Sequence, residues 1–381
     1  MQSLQSQSFS NFINAVKSDE SRRTYSGHIV RFLRYVGFQS TDELIKLTGP
    51  EIEQKIISYI VHMVKNKLAT GTIETFCGAI FTFYEMNDII AINKKKIKRY
   101  IPEKQKKFRD RAYTHEEISK LLNTSDLRFR AIVLTLSSTG IRIGALSILK
   151  LRDIQKIDST YRFTIYENSK DEYFTSCTPE CAEAIDQYLD FRKRMGEPLN
   201  PDSPLIREEF DIGNLGRIVT PKHMSVRGLI SFLRSNSIKA GIRVPEALTE
   251  GKKVVRKPVM LCHGFRKFTD TQMIESRMDG LKKEMMLGHD IGLEKSYYRP
   301  KDEDVLSEYN KAVNNLTINE ENRLKLEVKQ LTENQDELSL MKLKHEQEMR
   351  EMDQKLNKIL SMIQQNPKLV NVKPESLKKK L

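Results

Sequence analysis

Apolar residues along the chain follow three successive patterns. Over residues 9–36, FSNFINAVKSDESRRTYSGHIVRFLRYV, Phe9, Phe12, Ile13 and Val16, then Tyr25, Ile29, Phe32, Leu33 and Val36, recur at helical intervals. That spacing predicts two helices parted at the polar SDES stretch. The same pattern predicts helices over about 52–66 and 72–89, so the first unit reads as all-helical.

The second pattern starts at THEEISKLL, residues 114–122. Thr114 stands three residues before Glu117, the spacing of a capping box, and Ile118, Leu121 and Leu122 form the apolar side. FRAIVLTLSSTG follows as a buried helix ended by Gly140, and IRIGALSILKLRDI resumes helical spacing. Residues 161–177, YRFTIYENSKDEYFTSC, instead alternate apolar and polar around the turn-prone Asn168 and Ser169, which predicts a small hairpin or three-stranded sheet. Helices return over 179–195, 223–240 and 265–278, with 241–260 read as a loop or second short hairpin. The expected fold class is mainly α with a small β-sheet insertion.

The third pattern fills the last sixty or so residues. Leu324, Val328, Leu331, Gln335, Leu338, Lys342, His345, Met349, Met352, Leu356, Ile359 and Ile363 are spaced by four and three throughout, the heptad pattern of a coiled coil. Gln335, Lys342 and His345 interrupt the seam with polar groups, and Pro367 marks its end. A self-associating or partner-binding helix and a single solvated helix are both open readings. The resulting organisation is a helical domain over 1–93, a basic interdomain linker over 94–111, a second domain over 112–318, a coiled coil or long helix over 319–365, and a basic tail over 366–381.

Charge narrows the partner class. Lys and Arg number 64 against 51 Asp and Glu, a net +13. The excess gathers at Arg22, Arg23, Arg31 and Arg34 and in KKKIKRYIPEKQKKFRDR, where Lys94, Lys95, Lys96, Lys98 and Arg99 are close together and Pro102 bars a continuous helix. Phosphate neutralisation favours charge gathered on one strip, so Arg22, Arg23 and the cluster at 94–99 are candidate contacts to a DNA backbone. A linker that only aids solubility is the alternative. No apolar run reaches 18 residues, and MQSLQSQSFSNF lacks the basic-then-apolar order of a signal peptide. A cytoplasmic, DNA-associated protein without a membrane partner is expected. Cys77, Cys177, Cys181 and Cys262 lack metal-site spacing, so free thiols are expected, with no metal and no disulfide.

Four segments carry groups suited to phosphoryl transfer: STGIRIGAL with Arg142, YENSKDEYF with Lys170, LCHGFRKFTD with His263 and Arg266, and MLGHDIGLEKSYYRP with His289, Tyr297 and Tyr298. Two arginines can clamp the non-bridging oxygens of a phosphodiester and stabilise transition-state charge. Histidines can donate to the phosphate or exchange protons with a nucleophile, and a lysine on a hairpin can protonate a departing oxygen. A tyrosine hydroxyl needs nearby cations to act as a nucleophile at neutral pH. No cofactor is required.

These residues, in this order, resemble the tyrosine recombinases, or phage-integrase family, over roughly residues 10–300. The YYRP segment with its EYNKAVNNLTI continuation looks like integrases of archaea and their mobile elements. The resemblance implies a catalytic set of Arg142, Lys170, His263, Arg266, His289 and a tyrosine nucleophile. The usual spacing from the histidine of LGH selects Tyr298, with Tyr297 as runner-up. Lys156 and Lys150 are the alternatives to Lys170, which the hairpin context favours. Ala145 stands where the family commonly has Glu.

The resemblance further implies a core-binding domain and a catalytic domain forming a clamp on double-stranded DNA. It implies cleavage through a 3′-phosphotyrosyl intermediate, a homo-tetramer on two DNA sites, and a monomer or dimer off DNA. The expected function is site-specific recombination, integrating and excising a mobile element. The rivals are a type IB topoisomerase and a non-catalytic DNA-binding architectural protein. The C-terminal helix is expected to strengthen multimerisation or recruit a partner.

Overall fold

The computed structural model describes residues 6–89, 92–104, 110–123, 126–209, 213, 215–244, 258–292, 297–298, 300 and 301–365. The chain divides into two compact units, Met1–Lys107 and Phe108–Leu381. In the first, helices α1 (Gln7–Ala15), α2 (Asp19–Val36), α3 (Thr41–Ile45), α4 (Gly49–Lys65), α5 (Thr70–Glu85) and α6 (Lys94–Lys98) enclose one core. The SDES break is a helix start: the Ser18 side chain accepts from Ser21 N, and Asp19 and Glu20 complement the positive end of α2. Gly37 ends α2 in the left-handed region. Phe12, Phe32, Ile56, Phe76 and Phe83 fill the centre.

Two features of this unit depart from the sequence reading. The five-residue α3 was not anticipated; Ser40 and Glu43 close a capping box around it. The first part of the expected linker is folded, because Asn93 caps α6 through Lys96 N and Ile97 is fully buried in the same core.

The second unit runs α7 (His115–Asn123), α8 (Leu127–Thr139), α9 (Ile143–Leu146), a 3₁₀ turn at Leu151–Asp153, β1 (Ile154–Ile157), β2 (Thr160–Ile165), β3 (Tyr173–Ser176), α10 (Pro179–Arg194), α11 (Leu215–Val219), α12 (Val226–Lys239), α13 (His263–Glu275), α14 (Gly280–Met286), α15 (Asp302–Leu316) and α16 (Glu320–Gln365). The fold class is the expected one, mainly α with a small sheet. The Thr114 capping box forms as expected, with Glu117 N donating to Thr114 Oγ1 and Thr114 N to the Glu117 carboxylate. Buried α8 packs against α7, α10 and α13. The hydroxyl of fully buried Tyr309 on α15 bonds to Ser138 on α8.

The sheet has three antiparallel strands in the order β1-β2-β3, with Ile154 opposite Phe163 and Phe163 opposite Thr175. It starts earlier than expected, and IRIGALSILKLRDI is the short α9, a break at 147–150, the 3₁₀ turn at Leu151–Asp153 and the first residue of β1 rather than one continued helix. Tertiary pairing wins over the local spacing here: Leu205 N donates to Leu149 O at 2.8 Å and Leu151 N to Ser203 O at 2.9 Å. These bonds, with the bridge between Lys150 and Pro204, tie residues 149–151 to the 200–205 loop. The central part of the segment read as a second hairpin, 245–257, lies outside the described residues, as do 105–109 of the linker and the 366–381 tail.

Helix α16 follows Ile318 and Asn319, whose backbone N–H groups donate to the buried Glu180 carboxylate at 2.7 and 3.2 Å. From Glu327 to Met362 every residue on it is exposed.

Candidate active site

The second unit encloses a cavity of about 1020 Å³ between the sheet, α14 and α15. Its lining includes Arg142, Lys170, His289 and Tyr298, four of the six residues expected to be catalytic.

Arg142 owes its place to Gly140. That glycine ends α8 at φ +65°, in the left-handed region, and an added Cβ would stand 2.8 Å from Leu287 Cδ2. Two residues on, Arg142 precedes α9, and its exposed Nη1 donates to Gly288 O at 3.3 Å. Arg266 lies one turn into α13 and is only 7% exposed. Its Nη1 donates to Gly140 O at 2.8 Å and its Nη2 to Leu287 O. Arg266 therefore fastens the α8 end to the α14 end, the two turns that carry Arg142 and His289. Burial, then repulsion from Arg142, lowers its pKa. Neither arginine has an ion-pair carboxylate among the described residues. Two close guanidiniums without that neutralisation suit an anion.

Lys170 is on the β2–β3 connection, where Tyr166 and Asn168 adopt positive φ. The alternative lysines are engaged elsewhere: Lys156 pairs with Asp186 at 2.6 Å and Lys150 with Asp202 at 2.8 Å, and neither lines the cavity. Tyr298 lines the cavity, whereas Tyr297 is 88% exposed and does not. His263, at the exposed start of α13, is not in the lining. Ala145 is buried, so that position supplies no acid to the site.

The sequence reading missed Tyr173 and Glu284. Tyr173 packs against Gly288, where an added Cβ would come within 2.4 Å of the ring, and burial raises its pKa despite nearby Arg266 and Arg142. Its buried hydroxyl makes no well-formed hydrogen bond among the described residues. Glu284 bonds to His289 Nδ1 and to Lys283 Nζ, the latter at 2.7 Å. Burial opposes ionisation of Glu284, but its bonds to Lys283 and His289 outweigh that and lower its pKa. The only sequence signal for this pair was the five-residue separation of Glu284 from His289.

In the first unit, Arg22 pairs with Asp19 at 3.2 Å, Arg23 with Glu20 at 2.7 Å, Lys94 with Glu85, and Lys96 with Glu53 at 2.7 Å. Lys95, Lys98 and Arg99 are exposed and have no carboxylate partner among the described residues. The basic strip is thus partly compensated within the unit.

No family model matches the sequence, and a search of the curated proteins finds no match. Among solved structures, the chain is similar to the Tn1549 transposon integrase in complex with transposon right end DNA, with 16% identity and a TM-score of 0.52 over 79% of this chain and 96% of that one. It is also similar to a lambda integrase dimer bound to a COC′ core site, with 12% identity and a TM-score of 0.51 over 80% and 94%. A lambda integrase tetramer bound to a Holliday junction gives 14% identity and a TM-score of 0.50 over 77% and 76%. The chain therefore has the fold of the tyrosine recombinases.

Proposed function

We propose that the protein is a tyrosine-type site-specific DNA recombinase that integrates and excises a mobile element like those of archaea. The observation that carries this reading is the cavity that gathers Arg142, Lys170, His289 and Tyr298 from well-separated parts of the sequence. Tyr298 Oη attacks a DNA phosphodiester, forming a 3′-phosphotyrosyl bond. Lys170 gives a proton to the departing 5′ oxygen. Arg142 and Arg266 stabilise the charge developing on the phosphate, with His263 and His289 donating to it or exchanging protons with the nucleophile. The released 5′ hydroxyl of a partner strand then attacks the phosphotyrosyl bond and frees Tyr298. Two such rounds, performed by four subunits on two duplex sites, exchange all four strands. Arg22, Arg23 and the 94–99 cluster contact the DNA backbone, and residues 320–364 strengthen the assembly through the heptad seam.

The test is to incubate the full chain with nicked duplexes from its own genetic locus and map the DNA-linked peptide by mass spectrometry. A link at Tyr298 is expected; a link at Tyr297 would move the nucleophile by one residue. Supercoil relaxation by single subunits without synapsis would favour the topoisomerase. The lack of any link on a duplex shown to bind specifically would favour a DNA-binding scaffold. Deleting 320–381 should reduce synapsis more than cleavage at a single site, and equal retention of both would remove the assembly role.

A further inference from the structure

The turn after α14 brings Glu284 and His289 together twice. His289 N donates to Glu284 O at 3.0 Å and Gly288 N to Met285 O at 2.9 Å, with Gly288 at φ +62°. This is a Schellman ending, in which the second residue past the cap returns to the carbonyl at the start of the last turn. The same backbone path sets the imidazole beside the Glu284 carboxylate, and His289 Nδ1 is bonded to it. Glu284 is fixed from its other side: Lys283 Nζ lies 2.7 Å from Glu284 and 2.5 Å from Asp270 on α13. Burial opposes the Lys283 charge, yet the two carboxylates raise its pKa. Asp270, Lys283, Glu284 and His289 thus form one chain of alternating groups from α13 to the cavity wall.

We infer that Glu284 is the positioning residue for His289, accepting the hydrogen bond of Nδ1–H and leaving the Nε2 lone pair for the cavity. An ionised carboxylate has no proton to give, so in the neutral imidazole the hydrogen of this bond sits on Nδ1. Nε2, on the opposite side of the ring, is then an acceptor. This assigns the imidazole the same division of labour as in other carboxylate–histidine pairs, where one nitrogen is oriented and the other handles the reacting proton. In the chemistry proposed above, on which this last step rests, the proton leaving Tyr298 Oη passes to His289 Nε2 as the oxygen–phosphorus bond forms. The imidazolium so produced lies against Glu284.

The tautomer can be read without any DNA. In the full chain labelled with ¹⁵N-histidine, at mildly alkaline pH, long-range proton–nitrogen correlations should show His289 protonated on Nδ1, its signals identified by their loss in His289→Gln. Glu284→Leu should shift it toward the Nε2-protonated form. Glu284→Gln, whose carbonyl can still accept, should keep the Nδ1–H form and guards against misfolding of the leucine variant. An Nε2-protonated His289 in the wild type, or the same tautomer in wild type and Glu284→Leu, would overturn the inference. Covalent capture on nicked duplexes supplies the second readout: Glu284→Leu should slow it by about 100-fold, the scale of a misplaced catalytic group, and Glu284→Gln should retain more activity. A tautomer switch with no covalent capture by the wild type would count for the Glu284–His289 contact and against the recombinase reading.

Discussion

Helices α13 and α16 have the same kind of apolar spacing and opposite fates. On α13, Phe265, Phe268 and Met273 are buried against neighbours that include α8 and α15, and the turn that holds them also inserts Arg266 beneath the cavity. On α16, the seam residues Leu324, Val328, Leu331, Leu338, Met349, Met352, Leu356 and Ile359 remain 45–62% exposed. Periodicity determines that a helix has an apolar face; other layers of the chain determine whether that face is covered. The candidate chemistry depends on the covered region. None of the cavity-lining residues is on the uncovered helix.

The sharpest way to break this contrast is inside the second unit. Glu197 is buried between Arg192 and Arg207, with contacts of 2.5 and 2.7 Å, and the three groups lie at 0–2% side-chain exposure. Glu197→Ala leaves two buried guanidiniums without their anion and should cost about 3–5 kcal/mol, measured by urea unfolding. Burial opposes ionisation of Glu197, but Arg192 and Arg207 outweigh it and lower its pKa. A carboxyl depressed in the folded state contributes stability above its unfolded pKa and loses it as pH falls through the folded value. The wild type should therefore lose stability on acidification in a way that Glu197→Gln does not. Parallel acid unfolding curves for the two proteins would count against the triad's contribution.

A smaller effect is expected at the cavity wall. Gly288→Ala places a Cβ in the left-handed region and within 2.4 Å of the Tyr173 ring. It should cost about 1–3 kcal/mol through backbone strain and overpacking. Because the same glycine closes the turn that carries His289, capture on nicked duplexes should fall further than the stability loss explains. A normal capture rate in a folded Gly288→Ala protein would show that the turn geometry does not position the histidine.

Much of this covered region was legible from sequence. The helical spacing of α1, α2, α4, α5, α8, α10, α12 and α13, the Thr114 capping box and the left-handed end at Gly140 depend on local rules that the tertiary structure reinforces. Local rules fail where long-range bonds take over, as at Leu149 and Leu151, where bonding to the 200–205 loop stops the helix and leaves only a 3₁₀ turn before β1. The first part of the 94–111 stretch was misread for a related reason: five lysines and arginines concealed Ile97, the one buried side chain of α6. In the candidate site, the sequence offered the residue types and their order, because the proposed phosphoryl transfer needs particular side chains. It did not offer their supports, since Tyr173, Glu284 and Lys283 gain meaning only when the sheet, α13 and α14 come together.

The smallest effect on folding should come from the uncovered region. Replacing Leu331 and Leu338 with Glu adds charge to a face that this chain leaves in solvent, so the unfolding free energy should change by less than about 0.5 kcal/mol. The same pair occupies two wholly apolar positions of the heptad seam, where a facing helix would have to bury the new carboxylates at a far larger cost. Light scattering across a concentration series therefore separates the two readings of α16. If the wild-type mass rises with concentration and the double variant stays monomeric at unchanged stability, the seam is covered by a second copy of the chain. If both proteins remain monomeric, no second copy covers the seam in the free protein, which leaves a solvated helix or one that meets its partner only on DNA or in another protein.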